Sequence, residues 1–211
     1  MSQPGMPEDS PANRARIGIF GGSFDPPHLA HLALARVARD QLQLDELKLV
    51  PAGLQWQKTD RAMTPAYDRL AMLCLAIAGE ARVSVESCEL QRTGPSYTVD
   101  TVKALQAGSG MAQADWFLVI GQDQYARLHT WHRWQELVSL VTLAVAGRGG
   151  ESPAPSAAVA AVPHRLLVLD LPPMAVSASD VRARVARGEP IENMVPSAVA
   201  GYIDRAHLYR S

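Results

Sequence analysis

The chain has 211 residues, 47% of them apolar, enough for one large domain with its own core, and this argues against disorder beyond the ends. A formal charge of −1 gives no global attraction to nucleic acid or to acidic membrane surfaces, so any anion binding has to be local. The only cysteines, Cys74 and Cys88, form no close pair of metal or redox type, and no disulfide framework is implied.

Residues 1–15 contain Pro4, Gly5, Pro7 and Pro11 without an apolar run, which predicts a loose arm rather than a signal peptide. A strand is expected at Ile17–Phe20. The next residues are Gly21, Gly22, Ser23, Phe24, Asp25, Pro26, Pro27, His28, Leu29, Ala30 and His31. Glycines at a strand end let backbone N–H groups approach an anion, because no Cβ stands in the way. Pro27 suits a first helical turn, so a helix is expected to begin near it, with His28 and His31 at i and i+3 on one face. There the helix dipole and unsatisfied N–H groups favour phosphate. A Gly-Gly turn or a single histidine is commonplace; glycines, proline start and two histidines together favour a nucleotide site. A metal pair is disfavoured, since no third ligand lies nearby.

Further along, an amphipathic helix over Leu29–Leu42 leads to a strand at Leu47–Val50 and a loop ending in Lys58, a point charge that either reaches phosphate or faces solvent. A helix over Pro65–Ala78 and a strand at Val83–Glu86 precede Gly94-Pro95-Ser96-Tyr97-Thr98, which offers hydroxyls and N–H groups ahead of a helix over Val99–Gln106. The strand Trp116–Ile120 ends on Gly121-Gln122-Asp123, where the carboxylate either accepts ribose hydroxyls or caps a helix. Trp131, His132 and Trp134 form an aromatic cluster that either packs in the core or offers a platform for a flat ring. A helix at Trp134–Leu140 and a strand at Thr142–Val145 follow, and the apolar stretch Leu137–Ala146 is too short for a membrane span of about 20 residues. Gly147–Pro163 reads as a flexible loop or one short alanine-rich helix. A strand at Leu166–Leu169, helices at Ser179–Arg187 with Gly188 as C-cap and at Pro196–Arg205, and the run Val176–Arg182 with hydroxyls at a helix start complete the pattern. This alternation predicts a doubly wound, mostly parallel sheet with a ligand site outside the carboxyl ends of its strands, in a soluble, cytoplasmic protein.

Taken in order, the segment from Gly21 to His28, Gly94 to Thr101, Ile120 to Asp123, Trp131, Val176 to Arg182 and the pairs Tyr202-Ile203 and Leu208-Tyr209 resemble bacterial nicotinate-mononucleotide adenylyltransferases, of the nucleotidyltransferase superfamily with an HxGH-type signature. The likeness spans about residues 16 to 210. It implies a Rossmann-like α/β domain over 16–211 with a small C-terminal helical part. The implied reaction, in NAD biosynthesis, transfers the adenylyl group of ATP to nicotinate mononucleotide, giving nicotinate adenine dinucleotide and pyrophosphate by positioning and electrostatics. In that reading His28, His31, Lys58 and Arg182 act on the phosphates. Gly21, Gly22, Ser23, Phe24 and Asp25 lie under ATP, Gly121 and Asp123 near a ribose, and Ser177 and Ser179 at the polyphosphate. Ser96, Tyr97, Thr98 and Trp131 take the acceptor, Trp131 by stacking on its ring and Tyr97 and Thr98 by backbone N–H groups. Mg²⁺ would come with ATP rather than sit in a protein metal site. Departures are Ala30 for the signature glycine, Gln57 for a loop histidine and Ser179 for threonine. The alternatives are another phosphorylated acceptor (the amide mononucleotide or phosphopantetheine), a non-catalytic nucleotide sensor and a class I synthetase-like activity.

Overall fold

A computed structural model describes residues 14–53, 63–108, 110, 113–147 and 152–210. The arm expected over residues 1–15, apart from its last two positions, and the loop carrying Gln57 and Lys58 lie outside the described residues. Six parallel strands form one sheet: β1 (Arg16–Gly22), β2 (Glu46–Pro51), β3 (Val83–Val85), β4 (Asp115–Gly121), β5 (Thr142–Ala146) and β6 (Leu166–Leu169), in the spatial order β3-β2-β1-β4-β5-β6. The eight helices described are α1 (Leu29–Gln41), α2 (Ala66–Ala76), α3 (Thr98–Gly108), α4 (Gln122–Ala126), α5 (Trp134–Leu140), α6 (Ala157–Ala160), α7 (Ala178–Ala186) and α8 (Ser197–Arg205).

Strand periodicity explains the layers. Along β4, Trp116, Leu118 and Ile120 enter one core with Val99 and Val102 of α3 and Leu137 of α5. The alternate residues Phe117 and Val119 enter a second core with Leu34, Ala35 and Ala38 of α1. Both faces are therefore covered, as the near-continuous apolar strands require. A third cluster joins Leu32 and Met72 to Val181 of α7 and to Val199 and Ile203 of α8, which seats the C-terminal helices on α1 and α2.

The central strand β1 pairs with β2 on one side and β4 on the other. Winding reverses between these neighbours, so the chain leaves the carboxyl ends of β1 and β4 in opposite directions and a crevice opens there. One expected boundary shifts. α1 begins at Leu29, with His28 as an extended N-cap (φ −141°, ψ 171°), so Pro27 lies before the helix and not in its first turn. The Leu29 amide donates to the Met194 carbonyl at 2.9 Å, which satisfies one of the orphan donors from outside the helix.

Candidate active site

A cavity of about 930 Å³ fills this crevice, floored by the ends of four strands at Gly21, Val50, Ile120 and Ala146. A second depression, of about 940 Å³, lies at the opposite, amino-terminal end of the sheet. Its Arg14 and Arg16 both face Asp115, at 3.8 and 3.9 Å, and the topology places ligands at the other end.

The β1–α1 turn forms one wall of the carboxyl-end cavity. Gly21, Gly22, Ser23, His28, Ala30 and His31 line it. A Cβ on Gly21 would meet nothing within 4 Å, whereas one on Gly22 would stand 3.1 Å from the Phe24 ring. The two imidazoles are stacked with centroids 3.6 Å apart. The His28 amide donates to His31 Nδ1 at 3.2 Å, which reserves that nitrogen as an acceptor and leaves Nε2 to carry the proton of a neutral ring. Burial pushes the His28 imidazole down to about 4, partly opposed by the Asp180 carboxylate, so it is neutral at working pH. Two cavity residues, His28 at Nδ1 and Ser96 at Oγ, hold the buried side-chain polar atoms without a hydrogen-bond partner among the described residues.

Facing this wall are Ser96, Tyr97, Thr98 and Trp131, with Gly121 and Asp123 between the two halves. The Tyr97 carbonyl accepts from the Asp100 and Thr101 amides at 3.0 and 3.1 Å, so α3 starts with its amino end at the Tyr97–Thr98 peptide. The Tyr97 ring lies on His132, centroids 4.2 Å apart. Asp123 sits in the first turn of α4, whose N-cap is Gly121. On the third side Ser177 caps α7, accepting from the Asp180 amide at 3.2 Å and donating to Asp180 Oδ2 at 2.6 Å.

Four of the expected residues that are described, Phe24, Asp25, Ser179 and Arg182, do not line the cavity in this conformation. Phe24 is fully buried behind the turn, and Asp25 is 1% exposed. Arg182 donates to the Asp25 carbonyl at 2.7 Å and to Ser179 Oγ at 3.0 Å, which draws it toward the back of the turn. Lys58 lies outside the described residues. The cavity also includes Glu89 and Asp180, to which the sequence assigns no role, and His132 of the aromatic cluster. Glu89 accepts from Thr101 Oγ1 at 2.7 Å and from the Gly53 amide at 3.4 Å, bridging β2 to α3. No spacing links it to either partner, whereas Asp180 and His132 stand inside segments already singled out.

Residues 19–184 match the cytidylyltransferase-like family. A relative from Methylibium petroleiphilum named "probable nicotinate-nucleotide adenylyltransferase" is 52% identical over 198 residues, 92% of each chain. Another so named, from Bordetella petrii, is 47% identical over 92% of this chain and 99% of its own. The chain belongs to the nicotinate-nucleotide adenylyltransferase family.

A solved structure described as Plasmodium falciparum nicotinic acid mononucleotide adenylyltransferase complexed with NaAD superposes with a TM-score of 0.74, over 93% of this chain and 98% of that one. At 18% identity this likeness bears on the fold: the six-stranded parallel sheet is that of a Rossmann-like nucleotidyltransferase. Membership also makes this chain a nucleotidyltransferase enzyme, and the adenylyltransferase fold gives the two walls of the cavity a common floor.

Proposed function

We propose that the chain transfers the adenylyl group of ATP to nicotinate mononucleotide, giving nicotinate adenine dinucleotide and pyrophosphate in NAD biosynthesis in the cytoplasm. The observation that carries this reading is the single cavity joining the His28–His31 turn to the Tyr97–Trp131 wall, since an adenylyl donor and a flat-ringed acceptor have to be held together. An oxygen of the acceptor 5′-phosphate attacks the α-phosphorus, the bond from that phosphorus to the bridging oxygen of pyrophosphate breaks, and pyrophosphate leaves with the electron pair. No side-chain nucleophile takes part.

His31, proton on Nε2, and the neutral His28 donate to the phosphates where charge builds; Ser177 and the amino end of α7 add donors at the polyphosphate. Trp131 stacks on the pyridine ring, and the amino end of α3 at Tyr97 and Thr98 receives its carboxylate. Gly21, Gly22 and Ser23 form the floor for the nucleotide, with Gly121 and Asp123 beside a ribose. Arg182 and Lys58 add positive charge when the phosphates are bound. Among the described residues no three His, Cys, Asp or Glu side chains group as a cation cage. Mg²⁺ carried on the triphosphate would spread the charge of the leaving group. For the compartment, both cysteines are free, as suits a reducing one, and no helix among the described residues is long and apolar enough to cross a membrane.

The test is incubation of the purified chain with ATP, Mg²⁺ and, separately, nicotinate mononucleotide, its amide counterpart and phosphopantetheine. Dinucleotide and pyrophosphate with the highest kcat/KM for the nicotinate compound are expected, and a preference for another acceptor overturns the reading. His31→Ala is expected to lower kcat by a factor of about 10² to 10³, the usual loss on removing a donor to developing charge. Near-normal pyrophosphate release by the folded variant would remove His31 from the mechanism.

A further inference from the structure

We infer that Tyr209 is a positioning residue for adenylyl transfer, holding the phosphate turn in register through the carboxylate of Asp25. The inference rests on the activity proposed above. Asp25 is buried behind the turn, out of the cavity, and its Oδ1 accepts from the Tyr209 hydroxyl at 2.7 Å. Its Oδ2 accepts from the Thr64 amide at 3.4 Å. The same stretch of turn is gripped by two arginines: Arg69, 2% exposed, donates to the Ser23 carbonyl at 3.0 Å, and Arg182 to the Asp25 carbonyl. Three segments far apart in sequence therefore close on residues 23–25 from the side away from the substrates.

Tyr209 is suited to hold and not merely to fill. It follows α8, where the chain reverses through left-handed backbone at His207 (φ 51°) and again at Tyr209 itself (φ 61°). Side-chain-bearing residues take up that conformation only where surrounding contacts determine it. Burial and the Asp25 charge raise the Tyr209 hydroxyl above its ordinary value, so it stays a proton donor throughout the working pH range. The clasp reaches the reacting groups in two steps. Phe24, next to Asp25, stands edge-on to the His31 ring with centroids 5.0 Å apart, and His31 is stacked on His28. Release of Asp25 lets Phe24 move, and with it the imidazoles whose placement sets the rate.

The control lies nearby. Tyr202, on α8, donates to Asp68 Oδ1 at 2.8 Å, a bond of the same kind that does not touch the turn. Tyr209→Phe and Tyr202→Phe are made in the full chain and compared for thermal midpoint, for kcat and KM, and for hydrogen exchange at amides 21–31. Tyr209→Phe is expected to lower kcat at least tenfold with KM for the acceptor within twofold, and to speed exchange at residues 21–31 at least tenfold. Tyr202→Phe is expected to change each of these less than twofold. If exchange in the turn is unaltered in Tyr209→Phe, or both variants lose kcat alike in step with stability, the inference is overturned. The exchange measurement does not depend on the acceptor, so a wild-type chain inactive on nicotinate mononucleotide would overturn the proposed reaction while the clasp is still decided.

Discussion

His28 is packed on a second imidazole and, among the described residues, has no partner at Nδ1, and the effect of its burial is opposed by the Asp180 carboxylate. Its value near 4, against 6.5 for a free histidine, ties stability to pH. Between these values the unfolded chain binds a proton that the folded one refuses, so stability is fully present above pH 6.5 and is lost as pH falls toward 4. The size of this effect is roughly 3 kcal/mol. Urea unfolding at several pH values between 4.5 and 7 is expected to show this slope in the wild type and a shallower one in His28→Asn; equal slopes would mean that His28 is charged when folded. The sequence makes both histidines legible through their spacing. It hides the work of Asp25, because the hydroxyl bound to that carboxylate is 184 positions away and no local pattern connects them.

Elements with a long apolar period were readable, and the short ones were not. All six strands are legible as short apolar, β-rich runs, and the six longer helices as the helical patterns between and after them. α4 entered only as a helix that Asp123 caps, because β4 ends on Gly121 and α4 begins at the next residue, and five residues are too few to display a period. α6 is the short alanine-rich helix allowed for in the Gly147–Pro163 stretch, started by Ser156, whose hydroxyl accepts from the Val159 amide. The amphipathic pattern places the start of α1 at Leu29, as observed, whereas proline preference places it too early, near Pro27, because it competes with capping: once the His28 amide is taken by His31 and the Leu29 amide by Met194, the helix can begin after both prolines. This start carries the departure from the family signature. Ala30 lines the cavity within the first turn, so Ala30→Gly is expected to widen the phosphate wall and lower KM for ATP, at a stability cost of up to about 1 kcal/mol. An unchanged KM would show that the methyl group does not meet the phosphates.

For the molecule as a unit, we propose that residues 16–211 fold as one domain. The second sheet core and the cluster of α8 share α1, since Leu34 enters the one and Leu32 the other. Ile203, 2% exposed, is with Val199 one of the two deep contacts of α8 in that cluster. Ile203→Ala is expected to cost about 2–5 kcal/mol and to leave unfolding as one transition; a separate early transition would mark α7 and α8 as an independent part.

The long reach from Asp25 to Tyr209 also has a meaning in time. As the chain is synthesised, β1 and the phosphate turn appear first, and all six strands are present once Leu169 is made. The hydroxyl that closes on Asp25 arrives 40 residues after the last strand. Completion of the sheet and completion of the site are therefore separate events: a nascent chain can bury its core while its nucleotide turn is still open, and gains full hold on ATP only when the segment after α8 docks.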